Sequence, residues 1–255
     1  HDALPILEAL YVCATSRSHK GSKDREMIRM GSDEAHIKLN VKKNGLPYRI
    51  DMHLKKNKSK GIAVNGIPIK RAVELFGILN IVCFSPEDLS IIKNGPAERR
   101  RFMDMELSQL DKIYLSNLIN YNKVVNQRNK LLKELSFKSS EEKLETLDIW
   151  DLQLVKYGTE VMKRRVGFVQ ELNEIIGGLH EKLSGGTEKL TIEYQPCVEE
   201  TAFLDTVTKM RERDLRMKST CFGPHKDDLI FFINGSEVKK YGSQGQQRTA
   251  ALSLK

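Results

Sequence analysis

The 255-residue chain is short of several things that would define its class at once. No apolar run approaches the roughly 20 residues of a membrane-spanning helix, so an integral helical membrane protein is excluded. The opening "HDALPILEALY" has neither a basic n-region nor a small-residue cleavage site, so no signal peptide is read there. Cysteine is sparse, and none of Cys13, Cys83, Cys197 and Cys221 sits two residues from another. The paired spacing of a structural zinc site is therefore absent, no metal site is expected, and the four read as reduced core thiols of a cytoplasmic protein. Aromatics are not interleaved with the basic clusters, so stacking on single-stranded bases is not signalled. There is no internal repeat, no low-complexity tract and no sustained heptad pattern.

What is present is a foldable, basic chain. Hydrophobic residues make up 40% and charged residues 30%, a balance that supports a globular core rather than disorder. Lys and Arg number 42 against 34 Asp and Glu, a net charge of +8. That excess suits a polyanionic partner, because each neutralised phosphate releases counterions, but it equally suits a merely solvated basic surface. The clusters are "KGSKDREMIR" (20–29), "KKNKSK" (55–60), "ERRR" (98–101) and "KRR" (163–165).

Residues 6–14 read as a buried helix with no N-cap before it. "AHIKLNVKK" and "YRIDMHLKK" alternate apolar and polar residues as half-buried strands do, with Asn44-Gly45 as the hairpin turn between them and a further turn at Asn65-Gly66. A short helix is expected at 70–76 and a buried strand at 79–84. "SPEDLSIIKNG" carries helix start and stop signals. A long helix is expected over 108–135, opened by a Ser108-x-x-Asp111 capping box, and an antiparallel partner over 141–183 beyond the loop "SFKSSEEK". Gly177-Gly178 and Gly185-Gly186 mark its exit. Strands at 189–194, 218–222 and 228–233, a helix at 199–214 and a hairpin at Asn234-Gly235 complete the reading. This layout predicts an α/β domain carrying a helical lobe, divided as 1–96, 97–186 and 187–255.

The end of the chain, "YGSQGQQRTAALSLK", sets Gly242 and Gly245 around Ser243 just before a helix. Glycines let a ligand approach the backbone, and the free N–H groups of a helix start attract anions. The alternative is that Ser243 simply caps its own helix. His225 with Asp227 and Asp228 offers either an acid–base or metal constellation, or a turn set by Gly223-Pro224 with capping or solvated carboxylates. Arg99, Arg100 and Arg101 either grip phosphate or pair with Glu98, Asp104 and Glu106 along one helix.

The closing stretch resembles the signature motif of ABC-type ATPase heads in the form found in the RecF family of bacterial recombination and repair proteins. "ILEALYVCATSRSHKG" resembles the helix after the family's phosphate loop. "SPEDLSIIKNGPAERRRFMD", "YNKVVNQRNKLLKEL" and "GPHKDDL" resemble its Pro-Glu…Arg-Arg, Arg-Asn and Gly-Pro-His blocks, in family order over nearly the whole chain.

The resemblance implies an ABC-type head, a P-loop NTPase-like lobe with a mixed β-sheet and an inserted helical lobe. It implies ATP and Mg²⁺ as cofactors of the complete family member, a weak ATPase, and an ATP-dependent homodimer. Ser243, Gly245 and Gln246 would contact the γ-phosphate in trans, with Arg17, and less definitely Lys20, near nucleotide. It also implies binding to double-stranded DNA and single-strand gap junctions, partnership with RecR and RecO, and help in RecA loading. Arg99, Arg100, Arg101, Lys55 and Lys56 are the DNA-contact candidates. His225, Asp227 and Asp228 receive no role.

The chain departs from the family where a phosphate loop, G-x-x-x-x-G-K-S/T, should stand. Aligned on Leu7-Glu8-Ala9, the residues Asp2, Ala3 and Leu4 occupy the Gly, Lys and Thr positions. The Walker B carboxylates follow the signature helix in the family. The expectation is an internal fragment with no catalytic residues, no ATP hydrolysis and no tight nucleotide binding of its own. Two other classes fit less of the sequence: the head of another SMC-like ATPase or nuclease family, and an ATP-independent DNA-binding module.

Overall fold

The computed structural model describes residues 3–137 and 140–255. The Asp2 position discussed above, and Lys138 and Ser139 of the expected 136–143 loop, lie outside the described residues. The chain groups into two compact units, His1–Glu87 with Ser108–Lys112, and Asp88–Leu107 with Ile113–Lys255. This grouping differs from the three consecutive sequence segments, because the long helices pack into the same core as the later strands.

In the first unit, helix α1 (Ala3–Thr15) precedes a meander of β1 (Glu34–Lys43), β2 (Leu46–Lys55), β3 (Lys58–Val64) and β4 (Ile67–Pro68), paired in that order and all antiparallel. The expected alternation is realised. Ile37, Leu39, Ile50, Met52, Ile62 and Val64 turn to one face and close a core with Val12, Cys13 and Leu75. At the hairpin tips Asn44 and Asn65 take φ of 49° and 52°, and Gly45 and Gly66 take 81° and 82°, the left-handed pair that two-residue hairpins require. Among the residues of α1 whose burial is described, Tyr11–Thr15 are buried while Ile6 and Leu7 are exposed, so it is less enclosed than its sequence suggested. Burial pushes the Cys13 thiol up to about 11. Cys13 is the one buried cysteine; Cys83 and Cys221 are half-buried and Cys197 is exposed, and no disulfide joins any of the four. The expected helix at 70–76 is a 3-10 turn over Ala72–Leu75.

The strand expected at 79–84 does not form. Its backbone is paired instead to one side chain: Ile81 N–H donates to Gln109 Oε1 at 2.8 Å, and Gln109 Nε2 donates to the Ile81 carbonyl at 3.1 Å.

The second unit opens with α2 (Leu89–Lys93), and α3 (Pro96–Leu110) and α4 (Lys112–Leu135) follow. The capping box expected at Ser108 is not used as one. Helix α3 starts earlier, at Pro96, and Ser108 and Gln109 are buried in its last turn. Helix α5 (Glu141–Leu183) starts at the Ser140 cap, which accepts from Lys143 N–H, and runs through Gly177-Gly178 to end before Gly185-Gly186. Helices α4 and α5 are antiparallel. Tyr114 meets Arg165 and, about 21 Å of helix further, Arg128 meets Asp151, so the contacts advance along α4 as they retreat along α5. Midway, a Cβ on Gly158 would lie 3.0 Å from the Tyr121 ring and 2.6 Å from Phe203, which is why α5 carries glycine in its interior there.

The chain then forms β5 (Leu190–Gln195), α6 (Phe203–Lys209), α7 (Arg211–Met217), β6 (Asp228–Ile233), β7 (Ser236–Glu237), α8 (Val238–Tyr241) and α9 (Gln244–Ser253). Strands β5, β6 and β7 pair antiparallel, so every strand pairing among the described residues is antiparallel where a mixed sheet was expected. The expected helix at 199–214 is divided at Met210, which lets Arg211 and Asp214 of α7 reach the ion pairs described below. The strand expected at 218–222 is absent for the same reason as the first. Thr220 N–H donates to Asn129 Oδ1 at 2.7 Å and Cys221 N–H to Asp214 Oδ1 at 2.9 Å. Among the described residues no helix is long and apolar enough to cross a membrane.

Candidate functional site

Helix α9 begins with a reciprocal capping box. Gln246 N–H donates to Ser243 Oγ at 3.1 Å, and Ser243 N–H donates to Gln246 Oε1 at 2.8 Å. Both readings of Ser243 thus meet at one place: it caps its helix, and it stands exposed at the helix start beside exposed Gly245. A Cβ on Gly245 would meet nothing within 4 Å but Ser243 Oγ, at 3.7 Å. The first-turn N–H groups of Gln244 and Gly245 have no intrahelical acceptor by helix geometry, and they carry the positive end of the helix dipole. Gly242 is required for a different reason, since a Cβ there would stand 2.5 Å from the Val238 carbonyl oxygen. A cleft of about 240 Å³ lies alongside, lined by Asn234, Ser236, Tyr241 and Gln246 among others.

The loop is held from behind by residues that sequence reading missed. Gln246 Nε2 donates to Glu188 Oε1 at 2.9 Å. The other carboxylate oxygen of Glu188 lies 3.2 Å from His180 Nε2, and His180 Nδ1 lies 2.9 Å from Ser253 Oγ. His180 is fully buried. Both ends of α9 are therefore tied to the end of α5 and the turn after it. No local pattern marks His180 or Glu188 for this role.

The Gly-Pro-His-Lys block is the hub of the unit's buried charge rather than a solvated turn. Asp227 is fully buried. It accepts from Cys197 N–H at 2.8 Å, from the Tyr194 hydroxyl, and from Arg165 at 3.5 Å. Arg165 also donates to Asp104 at 2.8 Å and to the Pro224 carbonyl at 2.6 Å. His225 Nε2 lies 3.0 Å from the Thr220 carbonyl, which can only accept, so that nitrogen carries the proton and Nδ1 accepts from the Tyr121 hydroxyl at 2.6 Å. Burial lowers the His225 imidazole to about 4.

Asp228 takes Arg99 in a two-pronged pair at 2.6 and 2.8 Å. Arg99 is only 4% exposed, and this corrects its placing among the DNA contacts: its guanidinium is spent inside the unit. The pairing along one helix with Glu98 or Asp104 does not hold for it either. Arg100 donates to the Asp227 carbonyl at 2.6 Å and is half-buried, and Arg101 is exposed. In the Arg-Asn stretch, Arg128 is fully buried between Asp151 and Asp214, both at 2.6 Å.

The remaining candidates belong to the first unit. Arg17 is exposed just past the end of α1. Lys55 ends β2 and Lys56 lies in the β2–β3 turn, within 3.5 Å of Glu34 and 3.2 Å of Asp33. On the same sheet Glu34, His36 and His53 bring their donor atoms within 4.8 Å of one another.

These features, a capped helix start behind a Gly-Ser loop, an α/β core and an inserted antiparallel helix pair, define an ABC-type ATPase head. No family model matches the chain. A protein named DNA replication and repair protein RecF from Lachnospira eligens is 67% identical over 250 residues, covering 98% of this chain and 69% of that protein. Its counterpart from Clostridium perfringens is 40% identical over 255 residues, with the same coverage. A solved structure described as the recombination mediator protein RecF with ATP in the RecFOR pathway superposes with a TM-score of 0.90 at 35% identity. It too is covered over 69% of its length, against 98% of this chain. The chain belongs to the RecF family of DNA replication and repair proteins.

Proposed function

We propose that this chain is the signature-bearing part of an ATP-gated DNA-binding protein that acts at single-strand gap junctions and helps load RecA together with RecO and RecR. The observation that carries the reading is the exposed, glycine-flanked start of α9. The fit to nucleotide is one-sided. Ser243 Oγ and the N–H groups of Gln244 and Gly245 present donors of the kind that hold a phosphate group. No Lys or Ser/Thr stands at positions 2–4, so the chain's own residues do not form a triphosphate cradle. The donors at the start of α9 suit the γ-phosphate of a nucleotide, with its Mg²⁺, held by the phosphate loop of a second, complete copy. Bound ATP would supply the charge that Ser243 and the helix start recognise.

On this reading Ser243 orients, Gly245 keeps the approach clear, and Gln246, pinned to Glu188, holds the loop open. Because these contacts require nucleotide, pairing of two copies is ATP-dependent. Duplex DNA is held through phosphate contacts, with Lys55, Lys56 and Arg101 the candidates still exposed or half-exposed.

The test is Ser243→Arg in the protein completed with its phosphate loop and Walker B segment. Sedimentation with and without ATP should show loss of the ATP-dependent dimer while the monomer still binds nucleotide. If Ser243 is only a cap, the variant should lose about 1 kcal/mol of stability and dimerise normally. That outcome would remove the trans assignment.

A further inference from the structure

The geometry points to a divalent metal site of the zinc class on the exposed face of the first sheet, with His36, His53 and Glu34 as ligands. The β1–β2 hairpin builds it. His36 and His53 each lie eight residues from their end of the Asn44-Gly45 turn, and they face each other directly across the strands. Their rings stack with centroids 3.9 Å apart and planes 26° apart. Glu34 lies two residues before His36, so it shares the same face. Its two oxygens are divided between the imidazoles, with Oε2 2.9 Å from His53 Nε2 and Oε1 3.7 Å from His36 Nε2.

A tetrahedral zinc ion with bonds of about 2.0–2.1 Å holds its ligand atoms about 3.3 Å apart. With one donor atom from each residue the three lie within 4.8 Å of one another, so side-chain rotations would draw them in to that separation. Two neutral imidazoles and one carboxylate form a donor set used for zinc, with copper and nickel as competitors, and three protein ligands leave a fourth position for water or an outside group. On the far side of His53 its β3 partner is Gly61, which has no side chain. A hollow of about 430 Å³ lined by His36, His53, Gly61 and Pro68 keeps the approach clear. The alternative, a surface Glu–His pair with Lys55 3.5 Å from the same carboxylate, makes no use of the second stacked ring.

The experiment is a zinc titration of the protein against a competing colorimetric chelator, repeated with His36→Ala, His53→Ala and the double variant. One zinc per chain is expected, each single change weakening it at least about tenfold and the double change removing it. Unchanged affinity and stoichiometry in the double variant, or no zinc uptake by the native protein, would overturn the site. Two measurements on native protein guard against a variant that misfolds. With Co²⁺, a sulfur-to-cobalt charge-transfer band would move the metal to a cysteine, and the proposal fails. In NMR spectra, two histidine ring systems should shift together at one equivalent of zinc, and a spectrum without such shifts also refutes it.

Discussion

The second unit buries arginine–carboxylate pairs of a kind that the first keeps at its surface. In the first, charges pair at the surface: Arg49 with Asp51, Lys55 with Glu34 and Lys56 with Asp33, each with at least one partner more than two-fifths exposed. In the second, the side chains of Arg99, Arg128 and Arg165 are 5%, 0% and 2% exposed, and each meets a carboxylate brought from elsewhere in the chain. The difference teaches that a net charge of +8 overstates some basic clusters as nucleic-acid contacts and leaves others intact. "ERRR" contributes one exposed arginine, whereas the lysines of the β2–β3 turn keep a surface position.

Breaking a buried pair leaves an uncompensated charge in low dielectric, while breaking an exposed one leaves a hydrated side chain. Arg128→Met should therefore destabilise the protein by about 3–5 kcal/mol. Arg49→Ala should cost under about 1 kcal/mol, both read from urea unfolding midpoints. Equal effects would end the contrast.

The next effect is a pH dependence. The imidazole of His225 is held down at about 4, against an ordinary 6.5, by burial. Between those values the unfolded chain binds a proton that the folded chain refuses. The stabilisation is complete above pH 6.5, falls as the pH drops through the window and is gone below about 4, a loss of about 3 kcal/mol at most. His225→Gln should flatten the decline of melting temperature over this range. An unchanged slope would place the acid sensitivity elsewhere.

The smallest expected effect lies on the exposed side. Lys55→Ala with Lys56→Ala should weaken duplex DNA binding and lower the salt slope by about 2, while Arg99→Lys should leave that slope unaltered. A slope that ignores the two lysines would remove this turn from the DNA surface.

What was legible in the sequence was what is encoded locally. The Asn-Gly turns, the period-2 strands and the 141–183 span of α5 each rest on a few neighbouring residues, and each appears in the structure. The ion pairs do not: Arg99 and Asp228 are separated by 129 positions, and nothing near either names the other. The two failed strands belong to the same class, since Gln109, Asn129 and Asp214 satisfy backbone groups that a neighbouring strand would otherwise have paired. The trio of Glu34, His36 and His53 is an intermediate case. The Asn44-Gly45 turn, once accepted, already sets His36 opposite His53, and only the register needed to be counted.

The ties from Ser253 through His180 and Glu188 to Gln246 lock both ends of α9 to the C-terminal end of α5 and the turn after it. Helix α5 is long, about 58 Å from His180 back to Glu141 at 1.5 Å per residue. It is seated in the core at Leu154, Val161, Phe168 and Ile176. The N–H groups at the Ser243 loop therefore take their aim from the axis of a helix anchored along most of its length, so the direction of a short loop is set by the packing of a whole unit.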